Sequence, residues 1–323
     1  MSLSRRSFAL AGAATLLLPA RALAAGADAA QTEVSISAVD LDGPNVTTVT
    51  VTVRNTAAKR LRDLHVTFSG PVGWTVEPAV REVQGTFAQG TEATATFELL
   101  VPAPTSGFQL LTFTATATYT GGDGLGSATG SRTERRGTAL ANLAAAYNNV
   151  GVTDESNTTP GNYDGGGNSF SAQKLADVGI VRGGAVSALG ARLTWPDVAS
   201  GMPGNVSCGS QAIALSGSGS RLVFLGSGVG FGALGSATVF YTDGTSSSGT
   251  FGFPNWSFQN VTDHGATQIA AANGRNLQTG YGNAGIAYSV FANSIPLTAG
   301  KTVELVVLPG NGGIHVFDMA IAP

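Results

Sequence analysis

The sequence predicts an all-β protein, an immunoglobulin-like sandwich followed by a jelly-roll β-sandwich. Three observations carry that prediction. Apolar residues recur at every second position through most of the chain, the spacing that places them on one face of a strand. Glycine numbers 45, serine, threonine and valine are abundant, and Lys, Glu and Met are few, a mixture suited to short strands and tight turns. The chain is 43% hydrophobic but only 11% charged, against about 25% in an average globular protein. At 323 residues it has room for two domains.

The beginning of the chain reads as an export signal. Arg5 and Arg6 are followed by Phe8, then by an apolar run over residues 9–18, then by Ala22 and Ala24 in a small-x-small arrangement. A run of about ten apolar residues is half of what a bilayer-spanning helix needs. A twin-arginine signal peptide over residues 1–25 is expected, with no membrane span in the mature chain and a secreted, periplasmic or cell-surface location. Losing Arg5, Arg6 and Arg21 with the leader moves the formal charge from −3 to about −6. Without a basic stripe, nucleic acid is not expected as a partner. The small basic knot of Arg132, Arg135 and Arg136 reads as a solvated cluster in a linker. The single cysteine, Cys208, excludes an intramolecular disulfide and reads as a packing residue.

Residues 32–120 alternate cleanly. Val34 and Ile36; Val49, Val51 and Val53; Leu64, Val66 and Phe68; Ala93, Ala95, Phe97 and Leu99; and Leu111, Phe113, Ala115 and Ala117 each form one face of a strand. Six or seven such strands in about ninety residues predict an immunoglobulin-like sandwich, with Trp74 packing across its end. The stretch VTVRNTAAKRLRDLHVTFSGPVGWTVEP, followed by ATATFELLVPAPTSGFQLLTFTATATY, resembles the NEW3 domain associated with α-galactosidases. That resemblance implies an accessory module that accompanies carbohydrate-active enzymes. Residues 121–147 read as a linker, beginning in a loose turn or the domain boundary itself and ending in a short helix or ordered segment near Leu140, Leu143 and Tyr147.

Residues 148–323 return to strands, marked by Leu222 and Phe224; Ala237, Val239 and Tyr241; Ile286, Tyr288 and Val290; Val303, Leu305 and Val307; and Ile314 and Val316. Turns are expected at Asp243-Gly244, Asn273-Gly274, Ala299-Gly300 and Asn311-Gly312-Gly313. One short helix is predicted over residues 171–178, capped by Ser171 or Ser169, with Leu175 and Val178 facing inward. The segments YNNVGVTDESNTTPGNYDGGGNSFSAQKLADVGI, LTWPDVASGMPGNV, TVFYTDGTSSSGTFGFPNW, SIPLTAGKTVELVVLP and IHVFDMAI resemble the C-terminal β-sandwich modules of secreted actinobacterial glycoside hydrolases, which are galactose-binding-like. Sugar binding, and one structural Ca²⁺ where first and last strands meet, are what that resemblance implies; Asp154, Glu155 and Asp318 are the expected ligands.

No catalytic constellation is legible. His65, His264 and His315 are dispersed, no nucleophile elbow occurs, and glycosidic cleavage needs a carboxyl pair that sequence does not identify. The glycine pattern beginning at Gly230 matches a dinucleotide fingerprint only by accident, because a strand rather than a helix is expected after it. Glycan recognition needs aromatic faces for the C–H side of a pyranose and polar groups for its hydroxyls. Tyr163 with Asp164, Asn255 with Trp256, and Tyr281 with Asn283 are the candidates, whereas Trp195 reads as core. The expectation is an exported, non-catalytic carbohydrate-binding or accessory protein whose partner is a glycan or polysaccharide. A structural or protein-interaction module of the cell envelope, and a glycoside hydrolase with an unrecognised site, are the alternatives.

Overall fold

The structure, a computed structural model, describes residues 32–105 and 107–323. The expected export signal over residues 1–25 lies outside the described residues. The chain forms two compact β units, and no helix among the described residues is long and apolar enough to cross a membrane.

The first unit contains β1 (Thr32–Ile36), β2 (Val46–Asn55), β3 (Leu61–Ser69), β4 (Thr75–Glu77), β5 (Val80–Val83), β6 (Glu92–Leu100), β7 (Gln109–Gly121) and β8 (Ser127–Arg136). They form two four-stranded sheets, ordered β1-β2-β6-β4 and β5-β3-β7-β8. Strand β6 alternates strictly between exposed and buried residues, and β2 and β3 nearly so. The buried rows meet in one core built around Val49, Val51, Phe68, Phe97, Leu99 and Phe113. Trp74 is half-buried and meets Phe113 edge-on at 5.8 Å. Asn55, at the end of β2, is buried and ties down the following turn. Its Nδ2 donates to the carbonyls of Lys59 and Phe87, both at 2.9 Å, and its Oδ1 accepts from the Ala57 amide at 3.0 Å.

The expected linker over residues 121–147 is corrected here. Gly121 and Gly122, both with positive φ, turn the chain into β8, which completes the second sheet. The basic knot is therefore partly strand: Arg132 pairs with Glu134, and Glu134 also accepts from the Val39 amide at 3.2 Å. Farther on, Leu140 bridges to Ile213 and a single 3₁₀ turn covers Leu143–Ala146.

The second unit contains β9 (Val152–Thr153), β10 (Phe170–Ser171), β11 (Ala185–Ala188), β12 (Ala191–Thr194), β13 (Val206–Ser207), β14 (Ala212–Gly217), β15 (Arg221–Gly228), β16 (Leu234–Tyr241), β17 (Ser246–Gly252), β18 (Thr267–Leu277), β19 (Gly280–Pro296), β20 (Val303–Val307) and β21 (Ile314–Ala322). A five-stranded sheet, β13-β21-β15-β19-β18, and a four-stranded sheet, β14-β20-β16-β17, make the sandwich. Leu222, Phe224, Val239, Phe251, Phe291 and Val306 belong to the core that joins them. The neighbouring residues Val223 and Leu225 belong to another core, with Val290 and Phe317. The five-stranded sheet is thus buried on both faces, which explains why β15 reads as a continuous apolar run rather than an alternation.

What covers its second face is the segment between residues 150 and 200. It includes the helix α1 (Ala172–Asp177), capped by Ser171, whose Oγ accepts from the Lys174 amide at 3.1 Å. Leu175 is buried as expected. Val178 lies beyond the end of the helix and is exposed, contrary to expectation. Trp195 is core, its ring stacked on Phe317 with centroids 4.3 Å apart. Strand β16, not a helix, follows the glycines that begin at Gly230.

Candidate functional site

A cleft of about 700 Å³ opens on the second unit, and it gathers four of the six residues expected to meet a sugar: Asp164, Asn255, Trp256 and Asn283. Its remaining chemistry comes from Arg275, Tyr288, Phe258 and Ile286. A bulge builds one side of it. Across the β18–β19 pair Asn273 faces Ala287 and Arg275 faces Gly282, so residues 283–286 stand opposite Gly274 alone. Bulges of this kind re-aim side chains, and this one brings Asn283 and Ile286 into the cleft lining. Gly274 suits the position because its φ is +75°, and a Cβ there would sit 2.3 Å from the Tyr281 hydroxyl.

Arg275 is the centre of the polar lining. Its Nη1 donates to Asp164 Oδ2 at 3.3 Å, while its guanidinium lies 5.5 Å from the Tyr288 ring centroid and 5.8 Å from that of Trp256. Asp164 is itself held in place, accepting from the Gly166 amide at 2.9 Å and from Asn168 Nδ2 at 2.8 Å. Asn283, at φ +54°, donates from Nδ2 to the Tyr288 hydroxyl at 3.2 Å. Asn255 is buried and spent on its own loop: its Nδ2 donates to the Gly230 carbonyl at 3.2 Å and its Oδ1 accepts from the Ser257 amide at 3.0 Å. The cleft therefore presents a fixed carboxylate, a fixed guanidinium and an amide, on an aromatic bed.

Two expected stacking platforms are corrected by their burial. Trp256 is only 2% exposed, with Tyr288, Tyr163 and Phe170 rings at 4.6–4.9 Å, so its face is taken. Tyr163 is buried among Phe170, Trp256, His315 and Phe317, and burial drives its hydroxyl pKa far upward. Both rings cover the second face of the five-stranded sheet, where apolar area gains most by leaving water. Tyr281 lies outside the cleft lining; its hydroxyl donates to the Asn273 carbonyl at 3.0 Å.

The open aromatic faces belong to residues that sequence reasoning missed. Phe258, 54% exposed, lines the cleft, and Phe231, 77% exposed, stands against it with ring centroids 4.8 Å apart. The signal was present in the sequence: both lie in polar loops rich in Gly, Asn, Ser and Gln, where a phenylalanine has no strand face to join.

The three acids expected to hold calcium each accept hydrogen bonds from protein groups. Asp154 Oδ1 accepts from the Ser156 amide and hydroxyl at 2.8 and 2.6 Å, bonds that lower its pKa, and its Oδ2 accepts from Gln173 at 2.7 Å. Glu155 accepts from the Ser171 hydroxyl at 2.7 Å. Asp318 accepts from the Thr194 amide at 2.6 Å, and burial raises its pKa. Among the described residues no group of three or more His, Cys, Asp or Glu side chains that could hold a metal ion occurs.

Comparison with known proteins bears on the first unit. Residues 43–120 match the model of the NPCBM-associated, NEW3 domain of alpha-galactosidase, from just before β2 to the end of β7, so the first unit carries a NEW3 domain. No curated protein matches the chain. Among solved structures, the secreted serine protease VesC from Vibrio cholerae is 12% identical, with a TM-score of 0.24, over 84% of this chain and 47% of that one. The chain thus spans about half the length of that protease. The Pseudomonas aeruginosa chaperone CupB2 is 13% identical, with a TM-score of 0.23, over 85% of this chain and 93% of that one. The periplasmic chaperone SfaE is 12% identical, with a TM-score of 0.21, over 38% and 66% respectively. Scores this low assign neither fold nor activity.

Proposed function

We propose that the protein is an exported carbohydrate-binding accessory protein in which the NEW3 domain accompanies a binding module, and that the cleft around Arg275 is where the glycan sits. The observation that carries this reading is the pairing, in one cleft, of the exposed Phe258 ring, which has Phe231 against it, with the fixed Asp164 carboxylate and Arg275 guanidinium. Aromatic rings take the C–H face of a pyranose, while a carboxylate accepts from its hydroxyls and a guanidinium donates to them. The Asp164–Arg275 pair is balanced in charge, which suits a neutral sugar. The cleft lining holds a single carboxyl group, Asp164, whereas glycosidic cleavage uses two, and this favours binding over hydrolysis. The NEW3 match supports a carbohydrate context, and the twin-arginine pattern at Arg5 and Arg6 supports export.

An open cleft with few polar groups predicts weak affinity for a simple sugar, on the order of 0.1–1 mM. A glycan array probed with the mature chain, alongside Phe258→Ala and Asp164→Asn, tests the reading. Binding to a neutral glycan that both substitutions abolish is expected. Binding that neither substitution changes, or no binding to any glycan, would remove the proposal.

A further inference from the structure

The second unit contains a recess quite different from the cleft, and we infer that it is a binding site for a small uncharged aromatic compound. The recess measures about 210 Å³ and is walled by Leu175, Ile180, Trp195, Pro196, Val198 and Phe317. Its rim is apolar too: Val181 and Met202 are 48% and 57% exposed.

Three features fix the class of occupant. The first is that the buried polar side chain bordering the recess, Asn205, is already paired. Asn205, fully buried, donates from Nδ2 to the carbonyl and side-chain oxygens of Asn149 at 3.1 and 3.0 Å, and its Oδ1 lies 2.8 Å from His315 Nδ1. Arg182 is held by Asp197 at 2.7 Å. A hydroxyl or charge carried into the apolar interior of the recess would lose its hydration and gain no partner there, which favours an uncharged apolar occupant. The second feature is aromatic lining: Trp195 and Phe317, stacked on each other with centroids 4.3 Å apart, both border the recess. The parts of these rings not used in that stack favour an aromatic occupant in offset or edge-on contact. The third is size: an apolar cavity of about 150 Å³ stays dry and accepts benzene, so this one has room for a one- or two-ring compound.

The methionines make a direct test. Of the three in the sequence, Met202 lies on the rim and Met319 is buried in the core joining the two sheets. Methyl-¹³C-methionine spectra of the chain are titrated with toluene and with indole. A saturable shift of the Met202 signal is expected, with Kd on the order of 1 mM for a ligand of so few atoms, while Met319 stays fixed. Val198→Phe, which fills the recess from one wall, weakens binding at least tenfold, and Ala172→Leu, from another wall, does the same. An unchanged Met319 signal shows that each variant remains folded. Phe258→Ala, in the cleft, leaves toluene and indole binding unaltered. No saturable Met202 shift with either compound, or unchanged affinity in both filled variants, would overturn the assignment.

Discussion

The two units bury their sheets in different ways, and the difference explains where a binding site can form. In the first, the long central strands β2, β3, β6 and β7 hide one row of side chains and turn the other outward, so β6 alternates strictly and the core lies between the sheets. In the second, the five-stranded sheet is covered on both faces, by the partner sheet and by the segment between residues 150 and 200. The loops that cover the sheet add a second layer of aromatic packing outside the sandwich core. The cleft and the apolar recess both arise at that covering layer. The lesson is that aromatic residues of such a layer divide into those that seal the sheet, such as Trp256, and those left at its rim, such as Phe258.

Trp256→Ala tests that division with the largest effect. Truncating a buried tryptophan costs about 3–5 kcal/mol. Calorimetric melting should show the transition of the second unit falling steeply while that of the first stays in place. A surface platform would instead lose sugar affinity at almost unchanged stability.

The second unit should also be the acid-sensitive one. His315 is buried beside Tyr163, and burial pulls its pKa down to about 4, with nearby Asp164 opposing the shift. The ordinary histidine value applies in the unfolded chain, which therefore takes up the proton first as pH falls. Stability is expected to drop between about pH 6.5 and pH 4, by roughly 3 kcal/mol in all. Asp318, whose pKa is raised, works weakly in the other direction. Melting His315→Asn across this range should flatten the dependence; an equally steep slope in the variant would assign the acid loss to other groups.

Asn55→Ala sharpens the comparison from the other side. It removes two donated hydrogen bonds and one accepted bond from a buried turn and should cost the first unit about 1–3 kcal/mol, leaving the second untouched. A smaller effect is predicted for the single thiol. Burial pushes the Cys208 pKa up to about 12, so modification by a disulfide reagent at pH 8 should be negligible until the second unit unfolds.

Much of the fold was legible because one-faced burial writes a period of two into the sequence. The β2, β3, β6 and β7 rows follow from Val49, Phe68, Phe97 and Phe113 and their neighbours, and Ser171 marked the start of α1. Strand β8 was not legible, since its half-buried row is Ala128, Gly130, Arg132, Glu134 and Arg136, with almost no apolar content. Gly130 is small because a Cβ would stand within van der Waals overlap of the Val34 carbonyl. The cleft was half legible. Asp164 and Asn283, singled out through their loop chemistry, both line it. Trp256 and Tyr163 were misjudged because nothing local reveals that a distant loop will be folded onto the outer face of a sheet. The run Leu222-Val223-Phe224-Leu225 held that clue, as residues 223 and 225 needed a cover of their own.

The central claim is that the cleft at Phe258, Asp164 and Arg275 binds a neutral glycan while Trp256 only supports it. Titration calorimetry with soluble neutral oligosaccharides, comparing the mature chain with Phe258→Ala, tests it directly. The account predicts a heat of binding in the 0.1–1 mM range that disappears in the variant, with a melting temperature changed little. Equal binding by both proteins would contradict it.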